Sequence, residues 1–337
     1  MKKVVIVGCG NVGMSYAYAM VINGVNIDEL VLIDINKDKA MGEAMDLSHA
    51  MSYAPKNFKC YAGDYSDCTD ASIICICAGR NQNVGETRTD LIFKNTEVFK
   101  DIIGQIKRTG FNGIYLIATN PLDVMTDITY RLSGLSANKV FGSGTTLDSA
   151  RLRYLIGEKT GINPKNIHGY VIGEHGDSEF IPWDNVIIGL DKANKFLSEE
   201  QMKEISDEVC GSAYDIIKKK GNTSYGIGMS LLKITNAILN NQNTIISVSA
   251  YNKLHDCYFS IPSIINKSGV KKTLYITLSK EDEDKLTNSI EKIKSDKAMI
   301  KLWFDKFRQK LTLIWNDDIS IYKSHDEIVK FILLEKQ

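Results

Sequence analysis

One histidine in the middle of the chain stands in a setting that suits proton transfer. His175 lies in the segment Gly-Glu-His-Gly-Asp-Ser at positions 173–178, a glycine-flanked turn directly after a predicted strand. Imidazole titrates near neutral pH, so it can both donate and accept a proton. His49, His255 and His325 have no comparable context. His175 is therefore our candidate for acid–base chemistry.

A second polar set precedes this histidine. Asp148 and Arg151 are three positions apart, so they lie on one side of a predicted helix start. Asn120 ends the fifth predicted strand, at the carboxyl edge where doubly wound sheets bind ligands. Arg88 closes a glycine-bearing loop, residues 79–88, which we interpret as a lid. This second polar set distinguishes His175 from the other histidines.

The elements that must position these residues alternate between strand and helix in the first half. Nearly continuous apolar runs such as residues 73–77 are typical of strands covered on both faces, as in parallel sheets. The alternation predicts a doubly wound Rossmann α/β sheet over residues 1–143. The predicted strands cover residues 4–7, 30–34, 58–61, 72–77, 114–118 and 139–141, and the predicted helices cover 11–22, 37–51, 89–108 and 122–132.

The second half has a different pattern. Helical spacing and strand-like runs are mixed there, which predicts an α+β substrate domain over residues 144–302. No internal repeat or Pro-rich linker separates the halves, so we expect them to pack closely. Helices are predicted near 146–160, 199–220, 225–240 and 280–300, and strands near 167–172, 244–251, 258–265 and 271–277.

A glycine motif follows the first predicted strand. The segment Gly-Cys-Gly-Asn-Val-Gly at positions 8–13 opens a helix, and such glycines let the backbone approach a pyrophosphate at the helix N-terminus. Asp34 ends the second strand, 21 positions beyond Gly13 (34 minus 13). A carboxylate there accepts hydrogen bonds from ribose hydroxyls and repels a 2′-phosphate, so we expect NAD rather than NADP. The alternative is a structural strand–turn–helix with an incidental Asp34.

Composition excludes several function classes. Hydrophobic residues make up 44% of the 337, charged residues 24%, and 41 basic residues balance 41 acidic ones, so no global charge favours nucleic acid or a membrane surface. No apolar run approaches the roughly 20 residues needed to span a bilayer, and the N-terminus resembles no signal peptide. The seven cysteines form no CxxC pair, which favours buried thiols over a metal or redox site. We expect a cytoplasmic protein that binds no metal.

The motifs above, in this order and spacing, resemble the L-lactate/L-malate dehydrogenase family over roughly residues 3–300, and bacterial L-lactate dehydrogenases in particular. The resemblance implies that His175 is the general acid/base and that Asp148 orients it. It also implies that Arg151 binds the substrate carboxylate through two hydrogen bonds. Further implied roles are Arg88 polarising the reacting carbonyl, Asn120 bonding near the reacting oxygen and Thr223 lining the substrate pocket.

The lid residue Gln82 bears on the substrate. In the family, Gln at this position accompanies lactate and pyruvate, whereas Arg accompanies malate and oxaloacetate. An uncharged Gln82 cannot neutralise a second carboxylate in a closing pocket, so the resemblance implies L-lactate/pyruvate. Arg80 is a departure from many bacterial relatives; an arginine there either lends charge to the pocket or, as we expect, lies nearer the cofactor phosphates or solvent. A malate dehydrogenase, an enzyme for a bulkier 2-hydroxy acid, and a catalytically silent NAD-binding protein remain the alternatives.

Other implications concern the cofactor and regulation. Arg153 and His168 match positions that bind fructose 1,6-bisphosphate between subunits in allosteric bacterial lactate dehydrogenases, and relatives are usually homotetramers. Ordinary surface or interface contacts would equally explain both residues. The residues expected to bind NAD are Gly8, Gly10, Asn11, Val12, Gly13, Asp34, Gly79 and Asn120.

The last segment, residues 303–337, extends beyond the region that the resemblance covers. It carries large apolar residues, among them Trp303, Phe304 and Trp315, followed by a capping-box pattern at 324–327 before residues 328–334. Three interpretations remain open: packing on the same subunit, an added subunit contact, or a segment that binds a partner.

Overall fold

The computed structural model describes residues 2–80 and 88–316, and for Arg88, Thr89 and residues 300–316 it describes the backbone alone. Residues Met1–Lys294 form one compact unit, and Ser295–Gln337 form a second. Within the described ranges, no helix is both long and apolar enough to cross a bilayer.

The first half alternates strand and helix as the apolar runs predict. Its strands are built largely from β-branched residues whose side chains are buried on both faces, as helices cover both sides of a parallel sheet. In chain order the elements are β1 (Lys3–Val7), α1 (Asn11–Ile22), β2 (Glu29–Ile33), α2 (Lys37–Ala50), β3 (Lys59–Ala62), β4 (Ile73–Ile76), α3 (Arg88–Arg108), β5 (Ile114–Ile117), α4 (Leu122–Ser133) and β6 (Val140–Gly142).

The second half mixes helices with short and long strands. Its longest strands, β10 and β11, pair over their whole length. The elements are α5 (Thr146–Thr160), β7 (Ile167–His168), β8 (Ile187–Ile188), β9 (Asp191–Lys192), α6 (Glu199–Lys220), α7 (Tyr225–Leu239), β10 (Thr244–Asn252), β11 (Cys257–Asn266), β12 (Gly269–Thr273) and α8 (Lys280–Asn316).

One continuous sheet joins the two halves. In the described residues its order is β12-β11-β10-β6-β5-β4-β1-β2-β3, with the six strands from β6 to β3 parallel. The strand β10 lies antiparallel beside β6 through Ser249 and Gly142 and continues the sheet into the antiparallel hairpins of the second half. Consequently β1, β2 and β5 all end at the same edge, where the loops after them meet.

The structure corrects three predicted elements. The strand expected over 167–172 is only Ile167–His168, and Ile172 forms an isolated bridge to Phe180 because the chain turns toward the 173–178 segment. The strand expected over 271–277 is Gly269–Thr273, since Gly269 at φ +87° supplies the turn that starts it two residues earlier. The helix expected to end near 300 continues to Asn316. The predicted capping box and the run after it lie outside the described residues.

Candidate active site

The glycine motif forms a turn in which the backbone is packed too closely for side chains. Gly8 has φ +105°, and a Cβ there would lie 2.5 Å from the backbone nitrogen of Ala78. A Cβ on Gly13 would lie 2.1 Å from the carbonyl oxygen of Gly8, so α1 packs directly onto the turn. These contacts hold the first turn of α1 at the sheet edge.

The first turn of α1 is suited to an anion. Gly10 is the N-cap residue, no side chain caps the helix, and no acidic residue occupies its first turn. A Cβ built on Gly10 meets nothing within 4 Å, so open space faces this end of the helix. The N–H groups of a helix start attract phosphate oxygens, and the residues present therefore fit the pyrophosphate of a dinucleotide.

Asp34 is tied to the glycine turn by its own carboxylate. Its Oδ2 accepts a hydrogen bond from the N–H of Cys9 at 2.7 Å, and its Oδ1 accepts one from the N–H of Asn36 at 2.9 Å. The side chain follows the end of β2 and is half-buried. This geometry fixes a negative charge beside the turn, in the position expected of a ribose-binding carboxylate.

A buried asparagine joins the loop after β4 to the loop after β5. Asn95 on α3 is 1% exposed. Its Oδ1 accepts a hydrogen bond from the N–H of Arg80 at 2.8 Å, and its Nδ2 donates to the carbonyl oxygen of Asn120 at 2.9 Å. Gly79 is equally confined, because a Cβ there would lie 2.5 Å from the Thr119 side chain. Asn95 therefore sets the spacing of two loops at the ligand-binding edge.

The imidazole of His175 is bonded to the carboxylate of Asp148. Nδ1 of His175 lies 2.9 Å from Oδ2 of Asp148, and the side chains are 26% and 2% exposed. Burial by itself lowers the pKa of His175, but the charge and hydrogen bond of Asp148 outweigh it and raise the pKa to about 9. Since Asp148 accepts the Nδ1 proton, Nε2 is the ring nitrogen left to face a ligand.

The second oxygen of Asp148 holds the guanidinium. Oδ1 lies 2.7 Å from Nη1 of Arg151, an ion pair between residues one helical turn apart on α5. Burial favours the neutral form of Asp148, but His175 and Arg151 together hold its pKa below its usual value. A second acid, Glu179, is also present, with Oε2 3.8 Å from Nδ1 of His175. One ionised carboxylate thus fixes both an imidazole and an arginine.

Two helices hold the backbone around His175. The N–H of His175 donates to Oδ2 of Asp123 at 2.8 Å, at the start of α4, and Oδ1 of Asp123 accepts from Ser249 at 2.5 Å. Burial raises the pKa of Asp123 to about 6. On α8, the hydroxyl of Ser289 accepts from the N–H of Glu174 at 2.6 Å, and Lys292 pairs with the Glu174 carboxylate at 3.0 Å.

The remaining predicted residues have different positions. Thr223 is half-buried in the segment between α6 and α7. Arg153 is half-buried on α5, and burial lowers its pKa, whereas His168 is exposed at the end of β7. Gln82 and the Arg88 side chain lie outside the described residues, so their predicted roles stay predictions.

Sequence reasoning missed Asn95, Asp123 and Glu179. Asp123 stands three positions after Asn120, and this proximity to the sheet edge was the available signal. Glu179 is four positions after His175, in a segment without helical or strand periodicity that would have predicted its direction. Asn95 lies within a long helical pattern and carried no signal at all.

Comparisons with known proteins identify the family of the chain. Residues 2–142 match the family model described as the lactate/malate dehydrogenase NAD binding domain, and residues 145–302 match the model of the alpha/beta C-terminal domain of the same family. The chain is 46% identical over 310 residues to L-lactate dehydrogenase 2 of Bacillus cereus, covering 89% of this chain and 98% of the relative. It is 47% identical, with the same coverage, to L-lactate dehydrogenase 1 of Bacillus cereus.

Solved structures agree as well. A lactate dehydrogenase from a Medee basin deep-sea metagenome superposes with a TM-score of 0.87 at 43% identity, covering 89% of this chain and 99% of the other. The minor L-lactate dehydrogenase of Enterococcus mundtii, in its ligand-bound form, gives a TM-score of 0.85 at 40% identity, with 88% and 97% covered. The two family models together span most of the chain, and this protein therefore belongs to the lactate/malate dehydrogenase family.

Proposed function

We propose that this protein is an NAD-dependent L-lactate dehydrogenase, which interconverts L-lactate and pyruvate. The observation that carries the proposal is the His175–Asp148–Arg151 cluster, which combines a proton donor with a guanidinium on one buried carboxylate. Relatives named L-lactate dehydrogenase at 46% and 47% identity support it. The cluster argues against a catalytically silent protein, because NAD binding alone needs neither of these two contacts.

His175 supplies the proton in the direction of pyruvate reduction. With a pKa of about 9 it is protonated at neutral pH, and Asp148 stabilises the imidazolium. In lactate oxidation the neutral ring accepts the hydroxyl proton through the same nitrogen. Bound NAD supplies the hydride acceptor, or as NADH the hydride donor, for the substrate carbon. Asp148 thereby acts in both directions without itself gaining or losing a proton.

Arg151 binds the substrate carboxylate, and neighbouring residues complete the pocket. A guanidinium has five N–H donors, so Arg151 retains donors for a ligand while Nη1 contacts Asp148. Arg88 stabilises negative charge that develops on the reacting oxygen, and closure of the loop removes competing water. Asn120 and Thr223 bond near the reacting oxygen and line the pocket.

Cofactor choice follows from the charge at the β2 end. The carboxylate of Asp34, held by the N–H groups of Cys9 and Asn36, favours free ribose hydroxyls over a 2′-phosphate. The uncapped start of α1 favours the pyrophosphate. The residues Gly8, Gly10, Asn11, Val12, Gly13, Gly79 and Asn120 complete the proposed NAD site.

One assay tests the proposal against its alternatives. NADH oxidation is measured in parallel with pyruvate, oxaloacetate and 2-ketoisocaproate, and NADPH replaces NADH in a second series. We expect the highest kcat/KM with pyruvate and NADH. A preference for oxaloacetate would favour malate dehydrogenase and would implicate Arg80 in the pocket. A preference for 2-ketoisocaproate would indicate a bulkier 2-hydroxy acid, and no activity would favour a binding protein.

The same protein is proposed to be an allosteric homotetramer that responds to fructose 1,6-bisphosphate. In support, burial and, to a smaller extent, the charge of Arg153 lower the pKa of Lys233 on α7, which indicates repulsion between cations of two helices. A ligand with two phosphates would relieve that repulsion, with His168 of a facing subunit as a further phosphate-binding residue. The cytoplasmic location stays a prediction, with which the seven free thiols are compatible.

A further inference from the structure

Glu179 adjoins the Asp148–His175 pair and has no part in the reaction described above. Its Oε2 is 3.8 Å from Nδ1 of His175, and its side chain is 5% exposed. The Asp148 side chain is 2% exposed. One ligand atom from each of the three groups lies within 4.8 Å of the other two. Two buried carboxyl groups therefore share one imidazole.

A carboxyl oxygen of Glu179 lies within 4.8 Å of one of Asp148. An ionised carboxylate only accepts hydrogen bonds, so two carboxyl groups this close can be hydrogen-bonded only when one of the two acids keeps its proton. Asp148 already accepts from Nδ1 of His175 and from Nη1 of Arg151, two contacts that favour its ionised form. The shared proton therefore belongs to Glu179.

The electrostatic free energy of a second buried charge leads to the same conclusion. A second negative charge beside Asp148 would be removed from water and repelled at close range, and both effects favour a neutral acid. Burial raises the pKa of Glu179 well above its usual value, and the charge of Asp148 raises it further, against the opposing influence of His175 and Arg151. A neutral Glu179 therefore has a lower free energy than an ionised one in a site that must also accept an anionic substrate.

We propose that Glu179 is a positioning residue for the acid–base step, a neutral carboxylic acid that donates a hydrogen bond to Asp148 and weakens the hold of Asp148 on the proton of His175. A carboxylate that shares its charge with another donor attracts the imidazolium less. His175 then transfers its proton to the substrate oxygen more readily. The inference deepens the proposed function, on which it rests.

Several neighbouring elements carry the other titratable groups around Glu179. Lys292 on α8 is paired with Glu174 and lies 3.8 Å from Asp177, and Cys210 on α6 is a further titratable group beside Glu179 and Asp177. Among the described residues, the titratable groups that face this site are Asp123, Asp148, Arg151, Glu174, His175, Asp177, Cys210 and Lys292.

The test compares pH profiles of kcat/KM for pyruvate reduction and lactate oxidation. Glu179→Gln keeps a donor to Asp148 without a titrating proton, and Glu179→Met fills similar space without a donor. We expect the Gln variant to follow the unmodified profile. In the Met variant, the pH at which pyruvate reduction declines should rise by about half a unit to one unit, since Asp148 holds the His175 proton more strongly. Glu158→Gln, on the exposed side of α5, is the matched control.

Two kinetic outcomes would overturn the proposal. A decline shifted to lower pH in Glu179→Gln would mean that Glu179 is ionised. Profiles of both variants identical to that of the unmodified protein would mean that Glu179 has no influence on His175.

Infrared difference spectra of the unmodified and Gln proteins give a readout independent of activity and of the Met variant's folding. We expect a protonated carboxylic acid band at neutral pH that the Gln variant loses. If that band is absent, the inference about Glu179 fails; if it is present but pyruvate is not reduced, only the proposed function fails.

Discussion

At the scale of single residues, Asp148 organises the site. Its two oxygens are divided between His175 at 2.9 Å and Arg151 at 2.7 Å, so one buried charge orients both the proton donor and the guanidinium. Asp148 and Arg151 both lie on α5. Residues three positions apart on a helix lie on the same side, so the Arg151 guanidinium reaches the Asp148 carboxylate. The remaining partner, His175, must come from elsewhere in the chain.

Turnover should depend on the protonation of His175. Its pKa is raised to about 9, so the donor form is present below that pH and is lost as the pH rises through it. Pyruvate reduction should therefore decline above about pH 9 in steady-state assays, whereas lactate oxidation should increase. His175→Asn should nearly abolish turnover while NADH binding, followed by fluorescence, is kept. The exposed His49→Asn is the control, and substantial activity of His175→Asn would remove His175 from the acid–base role.

Substrate preference should depend on the charge at position 82. Gln82→Arg supplies a counter-charge for a second carboxylate, and we expect kcat/KM to move toward oxaloacetate by up to about a thousandfold relative to pyruvate. Both substrates would be assayed with NADH in the same buffer. Gln242→Arg adds the same charge to an exposed turn and should leave the ratio unchanged. An unmodified enzyme that already prefers oxaloacetate would contradict the role of Gln82.

At the scale of elements, the turn that carries His175 is held from several sides. Gly173 exchanges backbone hydrogen bonds with Ser260 on β11 at 2.7 and 3.0 Å. The next two residues bond to Ser289 on α8 and Asp123 on α4. The position of His175 is therefore set by elements that are distant in the chain, and loosening any of them should affect catalysis.

Gly173 is the point where this turn tolerates no side chain. Its φ is +97°, and a Cβ would lie 2.6 Å from Oγ of Ser289, so Gly173→Ala combines backbone strain with displacement of a hydrogen-bonded hydroxyl. We expect the free energy of unfolding, measured with urea, to fall by about 1–3 kcal/mol, together with kcat.

Gly211→Ala, within α6, is the control for this change. A Cβ at Gly211 meets nothing within 4 Å, and alanine favours a helix, so this variant should be unchanged or more stable. Equal stability of Gly173→Ala and the unmodified protein would contradict the account of the turn.

At the scale of the whole molecule, one sheet brings the two halves of the chain to a single edge. The parallel strands place Asp34 and Asn120 at their carboxyl ends, and β10 places Ser249 beside Asp123. On α5, Arg151 points into the acid–base cluster, whereas Arg153 interacts electrostatically with Lys233 and Tyr170. One helix thus carries a candidate substrate residue and a candidate regulatory residue.

Regulation should appear in pyruvate saturation curves with and without millimolar fructose 1,6-bisphosphate. We expect the apparent KM for pyruvate to fall with the ligand, because its binding favours the assembly in which Arg151 is better placed. Arg153→Gln should abolish the effect, whereas Lys56→Gln, an exposed cation on another part of the surface, should keep it. Superimposable curves with and without the ligand would contradict the allosteric proposal and leave the dehydrogenase assignment unaffected.

The sequence by itself determined the order of strands and helices in the first half, the glycine turn and the acid–base candidates. Apolar runs and glycine spacing are local signals, because burial on two faces and positive φ values act residue by residue. The same signals misplaced the strand near 167–172 and the end of α8. There, tertiary bridges such as Ile172 to Phe180 decide where the chain leaves the strand.

Only the tertiary structure decided which groups surround the imidazole. Asp123 lies 52 positions before His175 and Ser289 lies 115 positions after Glu174, and no periodicity connects such pairs. The proximity of the Glu179 and Asp148 carboxyl groups likewise depends on how the turn that carries His175 packs against α5. Burial and charge at that contact set the pKa values of the site, because desolvation and close pairing depend on distances that exist only in the folded chain.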